Sequence, residues 1–527
     1  MSVDLLQSIP NEVLSIILDL VPEQLLTCMQ LSRSWRDFIL QTRPAHLTVD
    51  LRGKRLNNDA QRCLEQRLRL NPPSLTWLSS AADINEVVSV LDNAGCTKVE
   101  KLVIRDYSEY EEEGYDWWDR EKNREIMEAT LFDPSFIQRW TRITQDLVHL
   151  DIVASAYNCD GLLEFILTYT PQLVSLSFRT FADVEAPAFP FDQTLHNPAQ
   201  TGLRYLRWQG NLAMFEDLDF VSIFFPNLEV LHLLDDTTGD NADIGSEGPC
   251  LDDLLDIIQF LPHLVDWSFS NNLLYEPSLE AVTYPTLGLR HFIMEGVFLV
   301  DQERVLDIVR QYHETLVDFR YSPDGHSLYD NMGASHLPPV PFPCLKRLHL
   351  DDFTVLSLED LLPHCPVLES LSLARMDTRP KLMDLLHTQP WREVRIDWDE
   401  NAAKMVERLA KNAIALGARC TLRSLTYEVS PCHETVPVEV LLPSLGQIGT
   451  LEKLIINDAA CERKAFDRKT CHMRQFAHNA IESGLLSRLQ QAWFGCGNRH
   501  YSNSMINEFV RGILPERESF DSLDILY

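Results

Sequence analysis

The chain has 527 residues, 45% of them hydrophobic, which is enough for a large core or several domains. Its 78 Asp and Glu residues outweigh 46 Lys and Arg, leaving a net charge of −32. That balance argues against nonspecific nucleic-acid binding, which needs basic surface to replace counterions, and against docking to anionic membranes.

In chain order, the start "MSVDLLQS" carries an Asp and no basic stretch, so no secretory signal is expected. The first predicted element is a helical hairpin, "IPNEVLSIILDLVPEQLLTCMQLSRSWRDFI", from Ile9 to Ile39. Asn11 is placed to cap its first helix, and Glu12 complements the helix dipole. Val13, Ile16, Ile17 and Leu20 share one apolar face, and Pro22 ends the helix. The second helix brings Leu25, Leu26, Met29 and Leu31, then Trp35 and Phe38. These apolar positions exceed what so small a unit buries alone.

The hairpin resembles the F-box, in the order Ile9-Pro10, Glu12, Val13, Leu14, Ile17, Leu20, a break, then Leu25, Cys28, Leu31, Arg33 and Trp35. Ile9, Leu31 and Ser32 depart mildly from the family's pattern of Leu, Val and Cys. The resemblance implies docking to a Skp-family adaptor that bridges to a cullin. Carried over by position, Ile9, Pro10, Val13, Leu14, Ile17, Leu25 and Leu31 are the candidates for adaptor contact, with Trp35 packing inside the hairpin. The competing role is intramolecular core, covered by the first repeats.

From Val99 onward one spacing recurs, L-x-x-L-x-L. It begins at Leu147, Leu173, Leu203, Leu228, Leu264, Leu289, Leu316, Leu345, Leu368, Trp391, Leu422 and Leu451. Weaker copies begin at Leu47, Leu75 and Leu489. From Leu345 to Leu368 to Trp391 the interval is 23 residues; from Leu203 to Leu228 it is 25. The central x-L-x-L-x predicts a short strand of period two. Between strands, "DGLLEFILTYTP", "LDDLLDIIQFLP" and "SLEDLLPHCP" predict helices that stop at a Pro. One strand and one helix cannot bury their apolar faces alone; stacked repeats can.

The repetition resembles the leucine-rich-repeat family, from about residue 47 to about residue 500. The resemblance implies an α/β fold: a leucine-rich-repeat horseshoe solenoid carrying an N-terminal all-α F-box. The expected domains are 1–45 (F-box), 46–500 (solenoid) and 501–527 (C-terminal cap or tail). The family's Asn or Cys beyond the strand is met only by Asn211 and Asn272, with Asp236, Asp324 and Asp399 as substitutes. An irregular horseshoe is therefore expected. Acidic or Pro-rich insertions follow the repeats at Val99, Leu228 and Leu316, and the first carries Trp117 and Trp118. They read as solvated loops, with a partner contact at the rim as the rival.

The x positions of each strand are expected on the concave side. Early in the array these include Lys101, Arg105, His149, Asp151, Ser175, Ser177, Arg179, Tyr205, Arg207 and Gln209, where bases outnumber acids. Lys101, Arg105, Arg179, Tyr205 and Arg207 are the candidates for binding a target. They suit an acidic or phosphorylated segment, since Arg offers paired donors; pairing with the acidic insertions is the alternative. Further on, Asp318 with Arg320, Arg347 with Asp351, and Arg395 between Glu393 and Asp397 are expected to neutralise one another.

No catalytic, cofactor or metal motif emerges. His313-Glu314 and His433-Glu434 lack the second His of a zincin. Cys461, Cys471, His472 and His478 lack zinc-finger spacing, and Asp236 to Glu247 has Asn241 where a calcium loop needs Gly. The 12 cysteines are scattered and read as reduced, mostly buried thiols of the cytoplasm or nucleus. The expected function, implied by the two resemblances, is not enzymatic: a substrate-recognition subunit of a Skp–cullin–F-box ubiquitin ligase, with an unknown protein target. The alternatives are an adaptor-bound scaffold outside a ligase, or a repeat module with no role in ubiquitin transfer.

Overall fold

The computed structural model describes residues 46–51, 58–69, 71–79, 84–106, 131, 133–154, 159–180, 202–209, 225–234, 251–270, 288–297, 302–323, 340–351, 361–374, 391–397, 402–429, 442–458, 489 and 491–496. The Ile9–Ile39 hairpin, with Ile9, Pro10, Val13, Leu14, Ile17, Leu25 and Leu31, lies outside the described residues. So do Trp117, Trp118, most of the insertions, the loop positions Asn211 and Asn272, and residues 501–527.

The chain divides into two compact units, residues 1–264 and 265–527. The first contains β1 (His46–Asp50), α1 (Asn58–Leu68), β2 (Ser74–Ser79), α2 (Ile84–Ala94), β3 (Lys101–Asp106) and α3 (Pro134–Ile143). It continues with β4 (His149–Ala154), α4 (Cys159–Tyr169), β5 (Ser175–Thr180), β6 (Tyr205–Gln209), β7 (Val230–Leu234) and α5 (Leu251–Phe260). The second contains β8 (Asp266–Ser270), β9 (His291–Val297), α6 (Gln302–Gln311), β10 (Asp318–Pro323), β11 (Arg347–Asp351), β12 (Ser370–Ala374) and β13 (Glu393–Asp397). Then come α7 (Ala402–Leu416), β14 (Ser424–Val429), α8 (Leu442–Gln447), β15 (Lys453–Asp458) and β16 (Gln491–Cys496).

Within each unit the strands lie side by side in sequence order and pair in parallel, and neither sheet closes on itself. This is an α/β fold in which each repeat adds one strand. The weak copies at Leu47, Leu75 and Leu489 also fall at strands, β1, β2 and β16.

The leucine spacing sets the register. Leu75, Leu102, Leu150, Leu176, Leu206 and Leu231 occupy matching positions on adjacent strands, and all are buried. The next inward position stacks Phe178 on Trp208, their ring centroids 5.0 Å apart and nearly parallel. In the second unit Phe292 and Phe319, which take the place of the strand leucine itself, stack at 5.8 Å. Helix faces complete the first unit's core: Phe136, Trp140 and Phe165 pack together, and the buried Trp140 indole donates to Thr170 Oγ1 at 3.0 Å.

The prolines do more than stop helices. Pro171, Pro226, Pro262, Pro343 and Pro366 each follow a buried residue whose carbonyl accepts from the N–H three places on. Examples are Thr170 to Leu173 at 3.2 Å and Phe225 to Leu228 at 3.1 Å. Proline thus sits second in a β-turn, where its fixed φ is already correct. The turn delivers the first leucine of the repeat inward. A backbone ladder then ties each repeat to the one before: Val148 and His149 both donate to Glu100 O, and Val174 and Ser175 both donate to Val148 O. Helix ends follow local chemistry too. Asp133 caps α3 by accepting from Ser135 N and Phe136 N, with Pro134 in the first turn.

Among the described residues no helix is long and apolar enough to cross a membrane. The described cysteines Cys96, Cys344, Cys365 and Cys420 are free. Burial pushes the Cys96 thiol up to about 11 and Cys365 up to about 12, so both stay protonated and unreactive.

Candidate functional site

Strand alternation puts the leucines on one face of each sheet and the x positions on the other. In the first unit these outward positions form three rows across the strands. The first runs His46, Ser74, Lys101, His149, Ser175, Tyr205, Val230. The second runs Thr48, Thr76, Val103, Asp151, Ser177, Arg207, His232, and the third Asp50, Leu78, Arg105, Val153, Arg179, Gln209, Leu234. This face is not uniformly polar: Val103, Val153 and Leu234 are buried there.

The register separates the expected binding residues into two groups. Lys101 and Arg105 lie on β3, while Arg179, Tyr205 and Arg207 lie on β5 and β6. From β3 to β6 is about 14 Å at the usual strand spacing. Lys101 is exposed beside His149; burial, and then the Lys101 charge, lower the His149 pKa against the pull of Glu100. Arg105 donates to Asp151 Oδ2 at 2.6 Å, on the adjacent strand. The two residues are 46 apart in sequence, and parallel pairing makes them neighbours.

Arg179 is half-buried, with Gln209 as its register partner. Tyr205 sits one strand from His232; the rings meet edge to face at 5.5 Å, with the hydroxyl 3.4 Å from His232 Nδ1. Arg207 is only 9% exposed, with Ser177 and His232 as its register partners on the adjacent strands. Around it, Gln209 Nε2 is buried and has no hydrogen-bond partner among the described residues, and His232 is 3% exposed. Asp151 Oδ1, on β4 in the same row as Arg207, is buried and unpaired as well.

The second unit handles buried charge differently. Asp318 on β10 is 1% exposed. It accepts from Arg320 Nε at 3.1 Å, from Arg320 Nη2 at 3.1 Å and from Arg347 Nε at 2.7 Å. The expected Asp318–Arg320 neutralisation is therefore present, and Arg347 on β11 joins it from the neighbouring strand. Arg320 also lies 3.7 Å from Glu295 on β9. Burial raises the Glu295 pKa, Arg320 and Arg395 pull it down, and Asp318 adds to the rise. The side chains of Asp351 and Asp397 lie outside the described residues.

His232 is the residue that reading the sequence passes over. It occupies the same x position as Arg207, one repeat later in "LEVLHL", so the repeat register is the signal that finds it. Among the described residues no group of three or more His, Cys, Asp or Glu is placed to hold a metal ion. Across β4 to β7 one row of this face carries Asp151, Ser177, Arg207 and His232, with the Phe178–Trp208 stack on the opposite face of the sheet. Comparison with protein-family models and with curated proteins yields no match to this chain.

Proposed function

We propose that this protein is the substrate-recognition subunit of a Skp–cullin–F-box ubiquitin ligase, built as an F-box followed by a leucine-rich-repeat horseshoe. The Ile9–Ile39 hairpin docks the Skp-family adaptor, and the repeats hold a target protein on their outward strand face. Ubiquitin transfer is performed by the partners; this chain supplies proximity and orientation. The supporting observation is the one-strand-per-repeat parallel array following a hairpin with the order Ile9-Pro10, Glu12, Leu14, Ile17, Leu25, Cys28, Trp35.

Affinity purification of the full chain from cells with the proteasome inhibited tests the reading. Recovery of a Skp-family adaptor together with a cullin and a ubiquitinated protein is the expected result. Adaptor without cullin would favour a scaffold outside any ligase, and absence of both would overturn the proposal.

A further inference from the structure

Buried carboxylate oxygens and amide N–H groups in folded proteins are nearly always hydrogen-bonded, so exceptions call for an explanation. Asp151 on β4 is one: Arg105 holds its Oδ2 at 2.6 Å, while Oδ1 is buried and has no hydrogen-bond partner among the described residues. Gln209 on β6 is the complementary one: it is 2% exposed, and its donor Nε2 has no acceptor there. An unmet acceptor and an unmet donor thus stand on two strands with β5 between them. On that face β5 is the low strand of the three. Its outward residues in the first two rows are Ser175 and Ser177, both half-buried. His149 and Asp151 rise on the β4 side, Tyr205 and Arg207 on the β6 side. The result is a trough floored by serine and about 10 Å across, two strand spacings. Arg105 fixes Asp151 in one wall, and the His232 ring packs edge to face against Tyr205 in the other.

We propose that this trough binds the main chain of an extended segment of a target polypeptide, lying along β5. About 10 Å between the walls leaves room for one extended backbone with a hydrogen bond to either side. In an extended chain the N–H of one residue and the C=O of the next point to opposite sides, about 6 Å apart along the chain. Asp151 and Gln209 lie on opposite sides of the trough and are offset by two residues, or about 7 Å. One N–H donated to Asp151 Oδ1 and the following C=O accepting from Gln209 Nε2 satisfy both. A carboxylate or phosphate group does not match this pair, because it brings no donor to Asp151. A side-chain carboxamide offers both groups, and the test separates it from a main chain. Neither protein atom is open to water in the unbound chain, so binding includes a turn of the Gln209 amide into the trough, a change of rotamer. The inference rests on the ligase reading only for the target being a protein.

Random dodecapeptides passed over the immobilised full-length chain test it, with retained peptides identified by mass spectrometry. Each retained peptide is then remade with one main-chain N–H methylated at a time. Methylation at one position should weaken binding about three- to tenfold, the worth of one hydrogen bond. Asp151→Ala should weaken the unmethylated peptide by a similar factor and make that methylation silent. Gln209→Met should weaken binding about as much, and Ser177→Leu, which fills the floor, should abolish it. Circular dichroism melts check that the variants fold; should Asp151→Ala fail to, Gln209→Met and Ser177→Leu carry the test without it. Failure to retain any peptide overturns the proposal, as does binding unchanged in Gln209→Met and Ser177→Leu. Retention confined to peptides bearing Asn or Gln, and indifferent to methylation, assigns a carboxamide as the occupant and overturns it too. Adaptor co-elution is a separate readout: its failure beside peptide binding of the expected pattern removes the ligase reading and leaves the trough standing.

Discussion

Asp318→Ala is expected to destabilise the second unit by about 2–3 kcal/mol. Removing one partner of a fully buried ion pair typically costs about 3–5 kcal/mol, because the other charge is stranded. Here the stranded groups are partly wet. The Arg347 side chain is 49% exposed, so its share falls to the surface-pair scale of about 0.2–1 kcal/mol. Arg320 is 26% exposed and keeps Glu295 at 3.7 Å, so it is neither fully buried nor fully released. At about 2–4 °C per kcal/mol for a unit of this size, the melting temperature should fall by roughly 4–12 °C. Circular dichroism melts of the full-length wild type and variant measure this. The same substitution removes a charge that raises the Glu295 pKa, so Glu295 should titrate lower in the variant. A shift under about 1 °C would refute the claim that this sheet face depends on pairing its buried charges.

Glu295→Gln should raise the melting temperature at neutral pH. The Glu295 pKa is raised in the folded protein, so its stabilising share is fully present below the ordinary glutamate range and is lost as pH rises through the raised value. The variant's advantage should therefore vanish near pH 4; a pH-independent difference would contradict the assignment. Thr170→Val strands the buried Trp140 indole N–H and should cost about 1–3 kcal/mol, with Trp140→Phe in the same chain recovering part of the loss in urea unfolding. Gly288→Ala should cost about 1–3 kcal/mol, since φ is +122° and a new Cβ would lie 3.1 Å from Thr315 Oγ1, which donates to Leu289 O. Refolding yields and melts of Gly288→Ala equal to wild type would show that this turn relaxes.

Much of the fold was legible because one spacing dictates it. Every first leucine from Leu147 to Leu451, and Trp391 in their place, is buried, since the turn before it points it inward. The prolines at 171, 226, 262, 343 and 366 are visible in the sequence as helix stops, and their place in the β-turn follows from the same fixed φ. The site was less legible. Counting bases along the chain grouped Arg105 with Arg207, but parallel pairing sets the carboxylate of Asp151 beside Arg105, and Ser177 and His232 beside Arg207. Charge compensation depends on neighbours one repeat away, and insertions make that distance vary from 23 to 46 residues. Burial of Gln209 and His232 likewise carries no local signal, because both are polar residues at positions that elsewhere, as at Lys101, stay exposed.

The most direct test of the account mixes the purified full-length chain with a purified Skp-family adaptor and follows the pair by size-exclusion chromatography. Wild type should co-elute with adaptor at equal stoichiometry. Pro10→Ala with Leu14→Ala and Ile17→Ala should elute alone while keeping the circular dichroism of the repeats, because each well-packed Leu or Ile truncation removes about 2–5 kcal/mol from the interface. Co-elution of the triple variant at wild-type strength, or failure of the wild type to co-elute, would contradict the account.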